Sequence, residues 1–510
     1  MSRTLYKKIV ILAVLSITLT SGCTSTQVAT NAEKKVAADT TEVTLQQELR
    51  QLLNHPALQT AHVGIYVQDP YTRKVVFARN EHRLFAPASN QKLLTTAAAL
   101  STLGPDFRFH TELYTNGRIE NGTLYGDLYI RGTGDPTLSG RFHDGDMIRD
   151  LENWADALQE LDVTRITGDI IADATMFDQD WIGTGWEYDD LSYWYAAQPG
   201  ALSFNDNCLD VFITPGDSIG APANLRYEPE TDYFRMTNDL VTVHEDSITS
   251  YDYHRELNTN DMRFFGKISM SEDRIRDYIT IHNPARYTTN VLRDVLTDRG
   301  ISIDGMIREI PQDEPVDYKG FTQILDYTSP PLIEILNVIN RRSQNLYAEQ
   351  VFKRLGYEVT GKGTFEGGKR AVLEFLGKNG VDTEHLNIAD GSGLSRRNLV
   401  SPAQIVMVLR SMYTGKYSDE YLRSLPIGGD NGTLSQRFRG TISERRVNAK
   451  TGYMGFVRIL SGYLNTRDDH TLTFSIMVNG YTTETSVIDE IQDSIVSVIA
   501  SYSYDELVGK

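Results

Sequence analysis

Cysteine is nearly absent from this chain: Cys23 and Cys208 are the only two in 510 residues. With one near the start and one in the interior there is no disulfide framework, so the core must hold without cross-links. Cys208, between Asn207 and Leu209, reads as a buried small hydrophobe rather than a nucleophile. The ten histidines form no H-E-x-x-H and no Cys/His cluster, so neither a metal nor a cofactor is implied. Positive charge is also short. Lys and Arg total 50 against 68 Asp and Glu, a net charge of −18 that repels phosphate backbones and anionic lipid and speaks against nucleic-acid binding. Internal repeats and low-complexity tracts are lacking. What remains, 40% hydrophobic and 23% charged, is the composition of a globular protein rather than a disordered one.

The first residues read as an export signal. Arg3, Lys7 and Lys8 precede an apolar run over 9–19 that is too short for a good membrane span, followed by Thr20-Ser21-Gly22-Cys23. Small residues before a cysteine resemble the lipobox of bacterial lipoproteins, in which that cysteine becomes the lipidated N-terminus. Thr20 stands where the pattern prefers leucine, and the plainer alternative is a cleaved signal that happens to contain Cys23. The expectation is a signal peptide over 1–23 with Cys23 lipidated and a flexible tether over 24–44. The protein would then be periplasmic, meeting a membrane only through its N-terminal lipid.

From there the pattern predicts a helix over 43–53 and a hairpin of strands at 61–67 and 74–78. A helix follows from Gln91 to Leu100. Residues 104–317 change texture to short alternating strands, among them 108–116, 126–131 and 162–173, with a helix over 288–299. Helices return at 331–339, 345–355, 367–377 and 402–412. Strands at 444–451, 457–464 and 472–478 and a helix over 487–500 complete the chain. This order predicts an α/β (α+β) fold in which an antiparallel sheet, drawn from both ends of the chain, is flanked by helices. Its parts are a discontinuous domain of 45–103 plus 318–510 and an inserted strand-rich domain of 104–317, with a nested subdomain at about 209–282.

Ser89-Asn90-Gln91-Lys92 opens the first long helix after Pro87, which biases Ala86 away from helix. Serine and lysine three apart lie one turn apart on one face, beside the unpaired N–H groups of a helix start. A nucleophile needs a base beside it and donors aimed at the developing charge, and this turn offers both. Alone, S-x-x-K means little. Downstream, Ser343-Gln344-Asn345 falls at a break between two helices, and Lys450-Thr451-Gly452 ends a strand whose glycine admits a substrate backbone. S-x-x-K, S-x-N and K-T-G in that order are the signature of penicillin-binding proteins and serine β-lactamases. Ser203-Phe204-Asn205 is a rival S-x-N, disfavoured because it falls among strands. Gly356 to Lys362 nearly matches a P-loop, but Gly363 replaces the Ser/Thr that would hold magnesium and a helix precedes it.

The chain resembles the low-molecular-mass class C penicillin-binding proteins, the D-alanyl-D-alanine carboxypeptidase/endopeptidase family, across essentially all of 45–500. Besides the trio, the match is carried by the runs at 103–109, 134–138, 185–190, 201–203, 343–349, 390–396, 425–429 and 432–434. Gln344 departs from the family, which usually has aspartate there. The resemblance implies a penicillin-binding/β-lactamase-like transpeptidase domain that acts on peptidoglycan peptides and takes β-lactams as covalent inhibitors. Lys92, its ammonium form disfavoured by a neighbouring Lys450, would be the base for Ser89. Ser343 and Asn345 would relay the proton and hold the substrate amide, and Lys450 and Thr451 would bind the terminal carboxylate next to Gly452. The N–H groups of Ser89 and Tyr453 would form the oxyanion hole. Asp190 and Arg396 would line a pocket for the diaminopimelate side chain, Asp190 on its ammonium and Arg396 on its carboxylate. Other readings are a serine β-lactamase or esterase of the same fold, and a non-enzymatic wall-binding protein. The aromatic run over 188–195 is either a glycan-binding face or a packed junction.

Overall fold

The computed structural model describes residues 44–509. The signal, Cys23 and the tether lie outside the described residues. Among those described, no helix is long and apolar enough to cross a membrane.

The central sheet runs Val447–Met454, Val457–Asn465, Thr471–Asn479, His62–Gln68, Val75–Arg79, antiparallel throughout. The hairpin near the start of the chain therefore pairs with the last strand, through registers such as Ile65 with Ile476. Both faces of this sheet are covered, and the two-residue period sorts its side chains. Leu460, Leu464, Ile476 and Val478 face a core shared with Leu45–Leu53 and Thr485–Ala500. In the terminal helix Leu45, Leu49 and Leu53, one turn apart, are the buried stripe. On the other face, Ile459, Tyr463 and Met477 pack against Gln91–Leu103 and the helices around it. All ten residues from Gln91 to Leu100 are buried, so this helix is the axle of the helical layer rather than an amphipathic surface helix.

A second core gathers side chains from Leu113 to Ile301. It lies among a five-stranded sheet (Ile307–Glu309, Ile170–Asp173, Leu128–Gly132, His110–Thr115, Thr322–Thr328), a four-stranded one and two of three strands. Thr322–Thr328 pairs with His110–Thr115, so the strand that closes this sheet comes from beyond residue 317. The expected strand at 162–173 is two, Arg165–Ile166 and Ile170–Asp173, broken at Gly168, where a Cβ would sit 2.4 Å from the Gly126 carbonyl oxygen. Arg149–Glu160, inside the strand-rich stretch and given no element of its own from sequence, is a helix; Leu151, Trp154, Ala155 and Leu158 form its buried stripe. The P-loop-like run lies in and just after the helix Asn345–Thr360, which extends past the expected end at 355. Gly356 faces Phe365–Lys378 so closely that a Cβ would lie 2.7 Å from Gly368 N.

Candidate active site

Ser89 sits in the 3₁₀ turn Ala88–Asn90 that leads into Gln91–Leu103. Ala88 is left-handed (φ 46°), a strained conformation for an alanine, and it is fully buried. Two contacts over-determine it. Asn90 Nδ2 donates to the Lys450 carbonyl oxygen at 3.0 Å, and Gly393, itself at φ 87°, packs where a Cβ would stand 1.8 Å from the Ala88 oxygen. Ser89 stays partly exposed between two buried neighbours, and its hydroxyl does not cap the helix.

Lys92 is completely buried, and its Nζ reaches three oxygens: Asn345 Oδ1 at 2.6 Å, the Ser392 carbonyl at 2.8 Å and Ser89 Oγ at 3.1 Å. Burial lowers its pKa to about 7, against the opposing pull of Glu349 and Asp390. The amide and carbonyl oxygens can only accept. A neutral amine has two N–H groups for those two acceptors, and its lone pair then faces the Ser89 hydroxyl. Burial, rather than the second lysine, is thus the main cause of the depression. The lysine–lysine repulsion is seen on Lys450, whose pKa is pushed well down by burial and then by Lys92 and Arg458. Lys450 Nζ donates to Ser343 Oγ at 2.8 Å.

Ser343 takes the left-handed conformation (φ 59°) that ends Leu332–Arg342, and Asn345 begins the next helix. This break turns both side chains toward the lysines. Asn345 Nδ2 also donates to the Tyr195 carbonyl at 2.7 Å, tying the S-x-N turn to the inserted segment. Ser203 has other partners, Gly200, Asn207 and Gln350, all of them buried or backbone groups away from Lys92. On the strand Val447–Met454, Thr451 Oγ1 donates to Thr433 Oγ1 at 2.8 Å. Gly452 lies where a Cβ would come 2.7 Å from the Pro87 oxygen, so the strand can lie against the Ser89 turn only with glycine there. Ala449 N donates off the sheet edge to Pro426, and the period of two points the Tyr453 N–H the same way. Tyr453 itself is exposed.

Two groups under the site were not singled out from sequence. Glu349, one turn after Asn345, is fully buried and accepts from Gly391 N and Ser392 N at 2.9 and 2.8 Å. Burial, then Asp390, pushes its pKa up. Asp390 accepts four bonds, from Gly393 N, Ser395 N, Asn398 Nδ2 and Trp186 Nε1. Together they hold the 390–396 loop so that the Ser392 carbonyl meets Lys92. The i, i+4 spacing of Asn345 and Glu349 is the signal that could have found one of them. Asp190 is half-buried, with its pKa raised by burial, and accepts from Tyr195 OH at 2.9 Å. Arg396 is not paired with it: its guanidinium is held by Glu187 at 2.7 Å and by the Gly455 carbonyl at 3.0 Å. In the aromatic run, Tyr193 and Tyr195 stack at 5.6 Å, while Tyr188 and Trp194 remain exposed.

Residues 45–502 match the profile of the D-Ala-D-Ala carboxypeptidase 3 (S13) family. A D-alanyl-D-alanine carboxypeptidase of Actinomadura sp. (strain R39) is 33% identical over 470 residues, covering 90% of this chain and 85% of that one. The D-alanyl-D-alanine carboxypeptidase DacB of Haemophilus influenzae is 27% identical over 437 residues, 83% of this chain and 86% of that one. The crystal structure of penicillin binding protein 4 (dacB) from Haemophilus influenzae superposes with a TM-score of 0.79 at 24% identity, covering 89% of this chain and 99% of that one. At that identity the superposition establishes the fold.

Proposed function

The chain belongs to the D-Ala-D-Ala carboxypeptidase 3 (S13) family, and from that premise we propose that it is a serine carboxypeptidase and endopeptidase of peptidoglycan stem peptides, working through an acyl-enzyme on Ser89. The observation that carries the assignment of the nucleophile is the Lys92 amine. Its Nζ lies 3.1 Å from Ser89 Oγ with two pure acceptors on its other sides, so that in the neutral form the lone pair is left for the serine.

In this reading the neutral Lys92 takes the Ser89 proton as Oγ attacks the carbonyl of the penultimate D-alanine. The N–H groups of Ser89 and Tyr453 receive the oxyanion. Collapse breaks the amide C–N bond, and the leaving nitrogen takes a proton passed from Lys92 by way of Ser343, restoring the neutral amine. Water then attacks the ester, giving its proton to Lys92, which passes it to the departing Ser89 Oγ as the shortened peptide leaves. Lys450 and Thr451 bind the substrate's terminal carboxylate, which supplies the counter-charge that the free site lacks and returns Lys450 to its ammonium form. Asn345 positions the substrate amide, Asp190 reads the diaminopimelate ammonium, and Arg396 reads its carboxylate once Glu187 gives way. The division into a catalytic domain and an insert that runs from 104 through the strand Thr322–Thr328, the export signal and the lipid on Cys23 belong to the same proposal.

Intact-mass and peptide mass spectrometry after penicillin treatment tests it. One stoichiometric adduct is expected on Ser89, absent in Ser89→Ala, and persisting. An adduct on another residue, or rapid penicillin turnover without adduct, would overturn the assignment.

A further inference from the structure

The turn that carries Ser343 has two neighbours. Ser343 meets Lys450, whereas the next residue, Gln344, lines a cavity of about 450 Å³ between this turn and the inserted segment. Arg342 and Gln344 contribute from the turn, and Arg141, Trp194, Asp206 and Arg276 from the insert.

Three arginines and two aspartates line this space, in a chain whose net charge is −18. Arg141 is paired with Asp206 and Arg276 with Asp210. Arg342 is exposed, and among the described residues it has no ion pair or hydrogen bond, so the cavity keeps one uncommitted guanidinium. Gln344 is 4% exposed and spends its Nε2 on Asp206 Oδ2 at 2.9 Å. That leaves Gln344 Oε1 and Asp206 Oδ1 buried without a partner. Buried acceptors left unpaired are costly, and a guest bearing N–H groups would relieve them after a small side-chain rotation. A free guanidinium, two orphaned acceptors and the apolar face of Trp194 together suit a peptide that carries a carboxylate. The cavity is also tied to the chemistry. Trp194 precedes Tyr195, whose carbonyl takes the Asn345 amide, and Gln344 lies between Ser343 and Asn345.

We propose that this cavity is the subsite for the leaving stem of a cross-linked peptide, a carboxylate of that stem other than the one held by Lys450 and Thr451 on Arg342 and its amide N–H groups on Gln344 and Asp206. The inference rests on the peptidase reading above and adds what that reading leaves open. A monomeric stem expels a single D-alanine, whereas a cross-link expels a whole second stem, which needs a place beyond Ser343.

The test compares purified cross-linked muropeptide dimers with monomeric pentapeptide muropeptides on the wild-type protein, Arg342→Glu and Arg342→Lys. Arg342→Glu is expected to raise KM for the dimer at least about tenfold with kcat held, while monomer trimming stays within about twofold. Arg342→Lys is expected to recover most of the dimer affinity, because it keeps the charge. Equal effects on both substrates, no effect on the dimer, or a wild-type protein that trims monomers but leaves dimers intact would each overturn the subsite. Acylation of Ser89 by penicillin, followed in the same preparations, separates the two readings. If acylation persists without dimer selectivity the subsite alone falls; if acylation is absent the peptidase reading falls with it.

Discussion

Between pH 6 and pH 8 the rate of Ser89 acylation should rise about tenfold and then level off. Only the neutral form of Lys92 has a lone pair for the serine proton, and burial places its pKa at about 7. The neutral fraction is then about 9% at pH 6, about 50% at pH 7 and about 91% at pH 8, which is where the tenfold comes from. A solvated lysine, with a pKa of about 10.4, would gain about a hundredfold over the same interval and show no plateau. The assay is the second-order rate constant for acylation by a fluorescent penicillin, measured by stopped flow from about pH 5.5 to about pH 9.5, the range over which such a titration is complete. A logarithmic rate that climbs with unit slope through about pH 9 would refute the reasoning, since Lys92 would then titrate as an ordinary lysine. Stability carries the same signature. The folded pKa lies below the unfolded value of 10.5, so between about 7 and 10.5 the unfolded chain holds a proton that the native one does not. This group's contribution therefore grows more favourable as pH rises through that window.

Two further substitutions follow from the packing around the site. Gly393→Ala would drive a Cβ to 1.8 Å from the Ala88 oxygen at a backbone angle of φ 87°, so the Ser89 turn must shift. Acylation should fall by roughly a hundredfold, the effect of misplacing a reacting group by about 1 Å, in a protein whose circular dichroism still shows it folded. Gln344→Asp would put a second carboxylate against Asp206, where the glutamine now donates. Thermal denaturation should show a loss on the order of 1–3 kcal/mol at neutral pH. The loss should shrink on acidification, because the introduced carboxyl, its pKa raised in the fold, binds a proton there before it would in the unfolded chain.

The parts of the site that were legible in the sequence are those made by short-range geometry. Serine and lysine three apart on one helix, a serine at a helix break and a glycine after a strand lysine are all local patterns, and alternation marked 457–464 and 472–478 as strands. What sequence left out depends on contacts across long stretches of chain. Glu349 reads as an ordinary helix charge until the 390–396 loop is laid over it, and Asp390 reads as a turn residue until Trp186 reaches it from 204 residues away. The pairing of Arg396 with Glu187 is similarly remote, 209 residues, and changes what a substrate must displace. The helix Arg149–Glu160 is a different case. Its period was present, but strand-like neighbours on either side drew the reading toward alternation. Gln344 looked like a small departure at a non-catalytic position, and its meaning comes only from the Asp206 side chain facing it.

The pairing of His62–Gln68 with Thr471–Asn479 also sets an order of events in synthesis. The nucleophile leaves the ribosome early, yet the strand His62–Gln68 before it waits more than 400 residues for its partner, since Tyr66 pairs with Ser475. The second core, drawn from residues between Leu113 and Ile301, is contiguous and complete well before then. Contacts of long sequence separation form late because their loop must be closed first. Catalytic competence is therefore gained at the end of the chain's emergence, and a product truncated between residues 92 and 471 carries Ser89 and Lys92 but lacks the strand that joins the two halves of the sheet.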